Sequence, residues 1–343
     1  MKAVRLFGKE DLRVVETADP APGEGEIVVR AGAALICGTD VRMYRNGAAV
    51  QPITLGHELA GTVAAVGPKV THYREGMRVA VAPNMGCGVC DECVSGHTEL
   101  CSELRALGIN LDGGFAGYFV VPAAAVAQGN VVEIGANVSF AEAAIAEPLS
   151  CVYNSFERCR TEPGNSVLVI GAGPIGLMHA KLHKLAGAGR VVIHDLNESR
   201  LAICKAEDES FITVGPDRAK EQIFELTGGK GADIVITAAS AAATQQLAFQ
   251  VAALNGRVIF FGGLPKGREQ VSLDTNVIHY RMITVTGTSR QSLRQYRRCL
   301  KLIEQGVLDV RRIITKSFPL ERAQEAMDTV IRGEGLKTGF AMG

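Results

Sequence analysis

The sequence has no surplus of either charge: 36 lysine and arginine side chains balance 36 aspartate and glutamate side chains over 343 residues. A protein that binds nucleic acid or an acidic surface through its charge carries a basic excess, so this balance argues against such partners. The chain is long enough for two domains, and its hydrophobic content of 47% supports sizeable buried cores.

The sequence also lacks a hydrophobic run of the kind that crosses a membrane. The uncharged stretch 234–256 is interrupted by Thr237, Ser240 and several glutamines, and a buried strand followed by a helix explains it better. The first residues enter a strand-like pattern without an apolar signal region. We therefore expect no membrane segment, no secretion and a cytoplasmic location.

The cysteine pattern does not favour a disulfide framework, because nine cysteines are an odd number and four of them are clustered. Short gaps within the cluster let four thiolates surround one tetrahedral ion, and four thiolates leave no open position. The cluster therefore predicts a structural zinc site with the ligands Cys87, Cys90, Cys93 and Cys101. The four cysteines after residue 150 are interpreted as small core residues: Cys151, Cys159, Cys204 and Cys299.

Three further polar clusters lie in small, apolar surroundings, and each contains a potential metal ligand: Cys37-Gly38-Thr39-Asp40, Gly56-His57-Glu58 and Glu147-Pro148-Leu149-Ser150-Cys151. A thiolate, an imidazole and a carboxylate together suit a zinc ion that keeps an open position for water or an alcohol oxygen. Manganese and iron are the alternative metals for a site that contains carboxylates.

The strand and helix pattern changes along the chain. The first third has short strand-like runs bounded by glycine or proline, which predict a compact, mostly β unit. From about Val152, strand-like runs alternate with helix-length segments, which predicts a doubly wound parallel sheet. The predicted strands of this sheet are 166–170, 190–194, 232–237, 257–261 and 282–286.

A glycine-rich segment, Gly171-Ala-Gly173-Pro-Ile-Gly176, follows the first of these strands and precedes a helix. This context predicts a dinucleotide site, in which the glycines permit a tight turn and the helix N-terminus faces the pyrophosphate. Asp195 closes the next strand, where its carboxylate can accept both ribose hydroxyls. A 2'-phosphate at ~4 Å would meet a gross repulsion of about 4 kcal/mol, so NAD is favoured over NADP. Arg200 could pair with such a phosphate; a position over the adenine or a solvated place on a helix face is the alternative.

These motifs, together with Asp112-Gly113-Gly114-Phe115-Ala116, occur in the same order in the zinc-dependent medium-chain dehydrogenases. Over essentially its whole length the chain resembles that family, most of all its polyol (sorbitol-like) and threonine dehydrogenase branch. The resemblance implies an α/β fold with a GroES-like β-rich catalytic domain, residues 1–151 and 289–343, and a Rossmann NAD-binding domain, residues 152–288. It also implies an active site in the cleft between them, two zinc ions per chain, NAD as cofactor and a homotetramer or homodimer.

By the same resemblance, Cys37, His57 and Glu58 bind the catalytic zinc, and Glu147 is a fourth ligand or is joined through water. Thr39 hydrogen-bonds the substrate hydroxyl. The other expected substrate residues are Arg42, Tyr44 and Phe115, and the expected cofactor residues are Gly171, Gly173, Pro174, Ile175, Gly176, Asp195, Arg200, Gly263 and Leu264.

Arg42 departs from the family pattern, which often has a proton-relaying histidine three residues after the position of Thr39. Arginine stays protonated and relays protons poorly, but it binds phosphate or carboxylate well. With Arg45 and Lys266 also available, a phosphorylated polyol is one hypothesis, as in the related galactitol-phosphate dehydrogenases. A solvated or ion-paired arginine is the other.

The predicted function is a zinc-dependent oxidoreductase that transfers a hydride from a secondary alcohol to NAD and releases the ketone. The substrate is a small molecule, namely a polyol, a sugar alcohol or a polyol phosphate. L-Threonine dehydrogenase is the alternative within enzymes, and a non-catalytic NAD-binding structural or sensing protein is the alternative from another class. A zinc-free quinone reductase would not need Cys37, His57 and Glu58 together.

Overall fold

The computed structural model describes residues 1–342, and the chain divides into two compact units. The first unit comprises Met1–Ser150 and Gln291–Gly343, and the second comprises Cys151–Arg290. Within the described residues, no helix is both long enough and apolar enough to cross a membrane.

The secondary structure consists of short strands and helices along the whole described chain. The strands are β1 Lys2–Gly8, β2 Asp11–Glu16, β3 Ile27–Leu35, β4 Ile53–Thr54, β5 Glu58–Val66, β6 Arg78–Val81, β7 Asn84–Met85, β8 Arg105–Ala106, β9 Tyr118–Val121, β10 Val131–Glu133, β11 Ser166–Ile170, β12 Arg190–His194, β13 Ile212–Val214, β14 Ala232–Thr237, β15 Ala252–Phe260, β16 Thr284–Gly287, β17 Ile314–Phe318 and β18 Lys337–Ala341. The α-helices are α1 Gly38–Asn46, α2 Asp91–Val94, α3 Ala123–Gln128, α4 Phe140–Cys159, α5 Pro174–Leu185, α6 Glu198–Glu207, α7 Ala219–Leu226, α8 Ala242–Val251, α9 Thr275–Arg281, α10 Leu293–Glu304 and α11 Ala323–Ile331.

The first unit is built on a seven-stranded sheet in the order β10-β6-β5-β3-β18-β17, with β9 also paired to β3. Among the described strands of this sheet most neighbours run antiparallel, and only β17 and β18 pair in parallel. A three-stranded sheet, β2-β1-β4, completes the β structure together with the short β7-β8 pair. Because β18 pairs with β3, the last described strand of the chain lies in the same sheet as one of the first.

The inner faces of these sheets form one hydrophobic core. It contains fully buried residues from the N-terminal strands, such as Leu6 and Val29, and residues from α11, such as Ala326 and Met327. Alternation of buried and exposed positions is weak in β3, since its burial exceeds that of a strand with one solvated face.

The second unit is a parallel sheet of six strands in the order β13-β12-β11-β14-β15-β16. The order reverses between β11 and β14, which is the arrangement of a doubly wound dinucleotide-binding fold. The central strand β11 is a nearly continuous apolar run, as expected where helices cover both faces of a sheet, whereas the edge strand β16 is largely exposed. The uncharged stretch 234–256 covers most of β14, the loop after it, α8 and the start of β15. The predicted α/β fold class is therefore confirmed.

A stacked pair of histidines lies inside the second unit. His179 and His183 are one turn apart on α5, both are fully buried, and their ring centroids are 5.9 Å apart. His183 Nδ1 is 2.7 Å from Thr161 Oγ1, whereas neither ring nitrogen of His179 has a hydrogen-bond partner among the described residues. Burial lowers the pKa of His183 to about 3, and burial together with the charge of His183 holds the pKa of His179 well below its usual range.

This pair predicts a loss of stability in mild acid. Above about pH 6.5 both histidines are neutral in the folded and unfolded chain; below it the unfolded chain binds protons that the folded chain cannot. His183, with a pKa of about 3 in the folded chain, should therefore cost about 1.4 kcal/mol of unfolding free energy per pH unit between about pH 6 and pH 3. His179, whose pKa is also lowered, should add to this loss. His179→Leu should reduce the difference in urea midpoint between pH 7.5 and pH 5.5, and His279→Leu, an exposed position, should not. If the difference in urea midpoint between the two pH values were the same in both variants, the buried histidines would not be the cause of the acid sensitivity.

Candidate active site

Three donor groups converge in the first unit, although they come from two separate segments. Cys37 precedes α1, His57 precedes β5, and Glu58 begins β5. Their candidate ligand atoms all lie within 4.8 Å of one another. His57 and Glu58 are buried, and Cys37 is partly exposed. The sequence predicted these three residues as one set, and the structure brings them together.

A buried carboxylate, Asp40, joins the two segments. Its Oδ2 accepts a hydrogen bond from the backbone N–H of Cys37 at 2.7 Å, and its Oδ1 accepts one from the N–H of Gly56 at 3.3 Å. Oδ1 also lies 3.6 Å from His57 Nδ1. A carboxylate behind a ligand histidine orients the ring and increases its basicity. Asp40 therefore positions both the thiol and the imidazole.

The turn before His57 requires glycine. Gly56 has a φ of +95°, and a Cβ at this position would lie 2.3 Å from Cδ1 of Phe115. Phe115 is itself buried in the core and packs edge-on against Phe340 at 4.8 Å between ring centroids. Phe115, an expected substrate residue, is thus placed where it packs against the turn that carries His57.

Glu58 is hydrogen-bonded to a buried lysine. Its Oε1 accepts a hydrogen bond from Lys337 Nζ at 2.5 Å, and both side chains are almost fully buried. Burial lowers the pKa of Lys337, but the charges of Glu58 and Cys37 outweigh it and leave the pKa raised. Burial also raises the pKa of Glu58 well above its usual range, and the charge of Lys337 only partly offsets that effect. The second oxygen, Oε2, is buried and has no hydrogen-bond partner in the described part of the chain. A buried carboxylate oxygen without a donor suits a bound cation.

The neighbours of Cys37 favour the thiolate form of its side chain. Burial raises the pKa of the Cys37 thiol, but the charge of His57, a hydrogen bond to it and the charge of Lys337 lower the pKa to about 7. Thiolate is the form that binds metal. A thiolate, an imidazole and a free carboxylate oxygen fit a zinc ion with an open position. The three donors therefore suit the metal that the sequence predicted.

Glu147 lies near this cluster but is not one of the group of three. Burial raises the pKa of its carboxyl, while the charges of His57 and Lys337 and a hydrogen bond from Gln291 act against that effect. Gln291 Nε2 donates to Glu147 Oε1 at 3.0 Å. The structure therefore places Glu147 beside the ligand cluster, with one of its oxygens already bonded.

The expected substrate residues on α1 have different surroundings. Thr39 is partly buried, and its Oγ1 accepts a hydrogen bond from Arg42 Nη2 at 2.8 Å. Tyr44 faces α11 instead, where its hydroxyl accepts a hydrogen bond from Gln324 Nε2 at 3.1 Å. Arg42 and Arg45 are exposed on the same helix. Thr39 and Arg42 thus form a pair next to Cys37, and Tyr44 does not belong to it.

The four clustered cysteines form a second group in the first unit, between β7 and β8. Their sulfur atoms all lie within 4.8 Å of one another, and the backbone N–H of Cys87 points to Cys101 Sγ at 3.3 Å. Around them the chain has only a four-residue helix, α2, and a three-residue helical turn. With so little regular structure, a metal held by these thiolates would provide the main cross-link of the lobe.

In the second unit, the glycine-rich segment forms the turn between β11 and α5. Gly171 has a φ of +120°, and a Cβ on Gly176 would lie 1.8 Å from the carbonyl oxygen of Gly171. A Cβ on Gly173 would meet nothing closer than Arg200 Nη1 at 3.9 Å, so open space remains above the turn. Pro174 and Ile175 begin α5, whose N-terminus faces that space. The turn fits a pyrophosphate.

Of the remaining expected cofactor residues, Asp195, Gly263 and Leu264 follow the carboxyl ends of strands of the parallel sheet, where a doubly wound sheet binds its ligand, and Arg200 lies in α6. Asp195 follows β12, and its Oδ2 accepts a hydrogen bond from the N–H of Ala172 at 2.6 Å. The Nε of Arg200 is buried without a hydrogen-bond partner among the described residues. Gly263 and Leu264 follow β15, in a loop with open space around Gly263.

Comparisons with known proteins agree with this geometry. The family described as "Alcohol dehydrogenase GroES-like domain" matches residues 23–133, and that described as "Zinc-binding dehydrogenase" matches residues 174–305. An L-threonine 3-dehydrogenase of Bacillus velezensis is 34% identical, over 92% of this chain and 91% of its own. The chain belongs to the zinc-dependent medium-chain dehydrogenases.

Two further relatives of this dehydrogenase are a sorbitol dehydrogenase and a solved structure. The sorbitol dehydrogenase of Bacillus subtilis is 30% identical over 97% of this chain and 94% of its own. The structure, from Sinorhizobium meliloti, is described as a zinc-binding dehydrogenase with bound NADP; it has a TM-score of 0.91 and 30% identity and covers 99% of this chain and 98% of its own. The predicted family, fold and enzyme class are confirmed.

Three residues that the structure adds to the dehydrogenase site were not predicted: Asp40, Lys337 and Gln291. Asp40 was quoted within the Cys37 motif, and its place three residues after Cys37, in the first turn of α1, was a usable signal. Lys337 is a lone charge in a buried strand, which is a weak signal. Gln291 had none, because its partner is 144 residues away.

The two donor groups predict separable metal sites in this dehydrogenase. Cys37→Ser and Cys93→Ser should each remove one of the two bound zinc ions, because each breaks one group only. Cys93→Ser should also lower the melting temperature, since its lobe has little other structure. Zinc content after dialysis, measured by plasma mass spectrometry, checks both, with Cys204→Ala, a buried cysteine outside the groups, as the control. Loss of both ions from either variant would refute two independent sites.

Asp195 predicts the cofactor preference of the dehydrogenase. Asp195→Ser removes the charge that repels a 2'-phosphate, so the ratio of NAD to NADP affinity should fall by up to about a hundredfold, below the gross Coulomb limit. Titration calorimetry with each dinucleotide measures this ratio without turnover. Asp217→Ser, at an exposed acid, should leave the ratio unchanged. An unchanged ratio in the Asp195 variant would show that another residue selects the cofactor.

Proposed function

We propose that this protein oxidises a secondary alcohol of a polyol, sugar alcohol or polyol phosphate to the ketone and transfers the hydride to NAD. The observation that carries the proposal is the cluster of Cys37, His57 and Glu58, in which the candidate ligand atoms of a soft, a borderline and a hard donor lie within 4.8 Å of one another. Three protein ligands leave a position for substrate, which four thiolates do not.

Zinc held by these residues would supply Lewis acidity that lowers the pKa of the alcohol, and NAD would accept the hydride. The residues of the chain align the alcohol and manage its proton. Thr39 accepts its hydrogen bond from Arg42, so its own hydroxyl proton is free to be donated to the substrate oxygen. Arg42 cannot take up the substrate proton, because guanidinium stays protonated. The proton must therefore leave through water or another group.

We further propose that Arg42 binds an anionic substituent of the substrate. Its guanidinium has five donors, and the hydrogen bond to Thr39 engages one of them. Arg45, three residues further on the same exposed face of α1, adds positive charge. A phosphorylated polyol satisfies this arrangement, and so does the carboxylate of an amino acid.

L-Threonine is therefore the second candidate substrate. The L-threonine 3-dehydrogenase of Bacillus velezensis is more similar in sequence than the sorbitol dehydrogenase of Bacillus subtilis, at 34% against 30% identity. A basic group for the carboxylate would serve threonine as well as it serves a phosphate. NAD is the proposed cofactor because of Asp195, although the Sinorhizobium meliloti protein was solved with NADP. The cytoplasmic location and the homotetramer or homodimer stay predictions.

Turnover on a defined panel tests the proposal. NADH formation at 340 nm is measured with plain polyols, polyol phosphates and L-threonine, before and after chelation and with zinc restored. We expect turnover that a chelator abolishes and zinc restores, with an anionic substrate preferred. A protein that binds NAD and zinc but oxidises no member of the panel would favour a non-catalytic role.

The Arg42→Ala variant tests the anion proposal with the same panel. Loss of a charge-assisted hydrogen bond should lower kcat/KM for the anionic substrate by about 10- to 100-fold and affect plain polyols much less. Arg45→Ala is the matched control on the same helix and should have the smaller effect. An equal loss of kcat/KM on charged and uncharged substrates would show that Arg42 acts only through its hydrogen bond to Thr39 and does not bind an anionic group.

A further inference from the structure

Within the second unit, a buried histidine connects helix α5 to the segment that follows β15. His179 stacks on His183, and it also meets the ring of Phe261 at 5.2 Å between ring centroids and an interplanar angle of 88°. His179 is fully buried, and Phe261 is partly buried. A perpendicular pair of rings at this distance is a favourable aromatic contact. His179 therefore holds the ring of Phe261 in a defined place.

Phe261 stands at the start of the loop that carries two expected cofactor residues. It directly follows β15, and Gly263 and Leu264 come shortly after it. Between them, the N–H of Gly262 donates to the carbonyl oxygen of Thr237, the last residue of β14, at 2.9 Å. The ring contact of Phe261 and this hydrogen bond therefore fix the point at which the loop leaves the sheet.

The loop and Asp195 lie on opposite sides of the point where the strand order reverses. In the order β13-β12-β11-β14-β15-β16, Asp195 follows β12 and the glycine-rich turn follows β11, whereas Phe261 follows β15. A dinucleotide lies across this point, with one nucleotide on each side. With the adenosine ribose at Asp195 and the pyrophosphate at the turn, the nicotinamide nucleotide falls on the side of β14 and β15. The loop after Phe261 is thus placed for the nicotinamide half of the cofactor.

His179 meets Phe261 as a neutral ring. Neither of its nitrogens has a hydrogen-bond partner among the described residues, and burial together with the charge of His183 holds its pKa well below its usual range. A buried polar group without a partner costs stability, so for stability alone a leucine would fill this space at lower cost. A leucine cannot provide a flat ring perpendicular to that of Phe261.

We infer that His179 is a positioning residue for the nicotinamide half of NAD, and that it acts through Phe261 on the loop with Gly263 and Leu264. The inference rests on the proposed function, because it takes NAD as the ligand of this unit. With the ring of Phe261 held in place, the loop keeps its position before the cofactor arrives, and NAD binding does not have to order it.

Calorimetric titration of the full chain with NAD and, separately, with ADP tests the inference. ADP carries the adenosine and the diphosphate but no nicotinamide nucleotide, so it reports on Asp195 and the glycine-rich turn. We expect His179→Leu to weaken NAD binding by about 2- to 10-fold, the range of one aromatic pair, and to leave the ADP affinity unchanged. An equal loss for both ligands would mean that the substitution loosens the whole unit, and the inference would be wrong.

Two phenylalanine variants make the test specific to this contact. Phe261→Leu breaks it from the loop side, also serves if His179→Leu does not fold, and should weaken NAD but not ADP binding. The double variant should lose no more NAD affinity than the weaker-binding single variant, because both substitutions remove one contact. Phe156→Leu is the matched control, because Phe156 packs against Tyr153 and His183. It should leave both affinities unchanged.

The outcomes separate the inference from the proposed function. Additive losses of NAD affinity in the double variant, or a selective loss of NAD affinity in the Phe156 variant, would overturn the inference and leave the proposed function intact. A wild-type chain that does not bind NAD would overturn both.

Discussion

The candidate metal site depends on one buried carboxylate. Asp40 accepts hydrogen bonds from the backbone of Cys37 and of Gly56, and it faces the ring of His57. The two ligand segments thus have a shared partner that is fully buried. A buried carboxylate is costly unless its oxygens are satisfied, and here the donors come from the segments that must stay in register. The carboxylate and the ligand geometry therefore stabilise each other.

The same site concentrates more negative than positive groups. The charges of Glu58, Glu147 and Cys37 act on a buried ammonium group, that of Lys337, and the buried carboxylate of Asp40 faces His57. Desolvation costs several kcal/mol per ion, so a fold that keeps these acids buried needs a compensating cation. Lys337 compensates Glu58 directly, and a divalent metal compensates the rest. The arrangement is easier to explain as a metal site than as a structural ion-pair network.

The features that could be predicted from the sequence, such as strands and motifs with fixed spacing, are each contained in a short segment of the chain. The strands 166–170 and 190–194 were predicted with their observed bounds, because buried parallel strands are continuous apolar runs between turn residues. The predicted strand 257–261 was too short, since β15 begins at Ala252 and Asn255 has a φ of +56°, an irregularity that no periodicity signals. Motifs with fixed spacing, such as the glycine-rich turn and the cysteine lobe, were equally accessible.

Contacts between residues that lie far apart in the sequence could not be predicted. Lys337 is 279 residues from Glu58, and Gln291 is 144 residues from Glu147. Neither side chain differs in sequence from an ordinary lysine or glutamine, and only β18 and the start of α10 bring them to the site. The ligands could be recognised because the chemistry of a metal limits them to a few residue types, whereas a supporting contact can be made by almost any donor.

The two donor groups show how differently a fold can support a metal. The cysteine lobe takes all four sulfurs from one short segment that has little core of its own, so its geometry depends on the ion. The cluster of Cys37, His57 and Glu58 is formed by the sheet, by Asp40 and by Lys337, so much of its geometry exists without the ion. A preorganised cluster can keep one position open, because the protein and not a complete ligand shell fixes the donors. A metal that must leave room for a reacting molecule therefore requires the more extensive support.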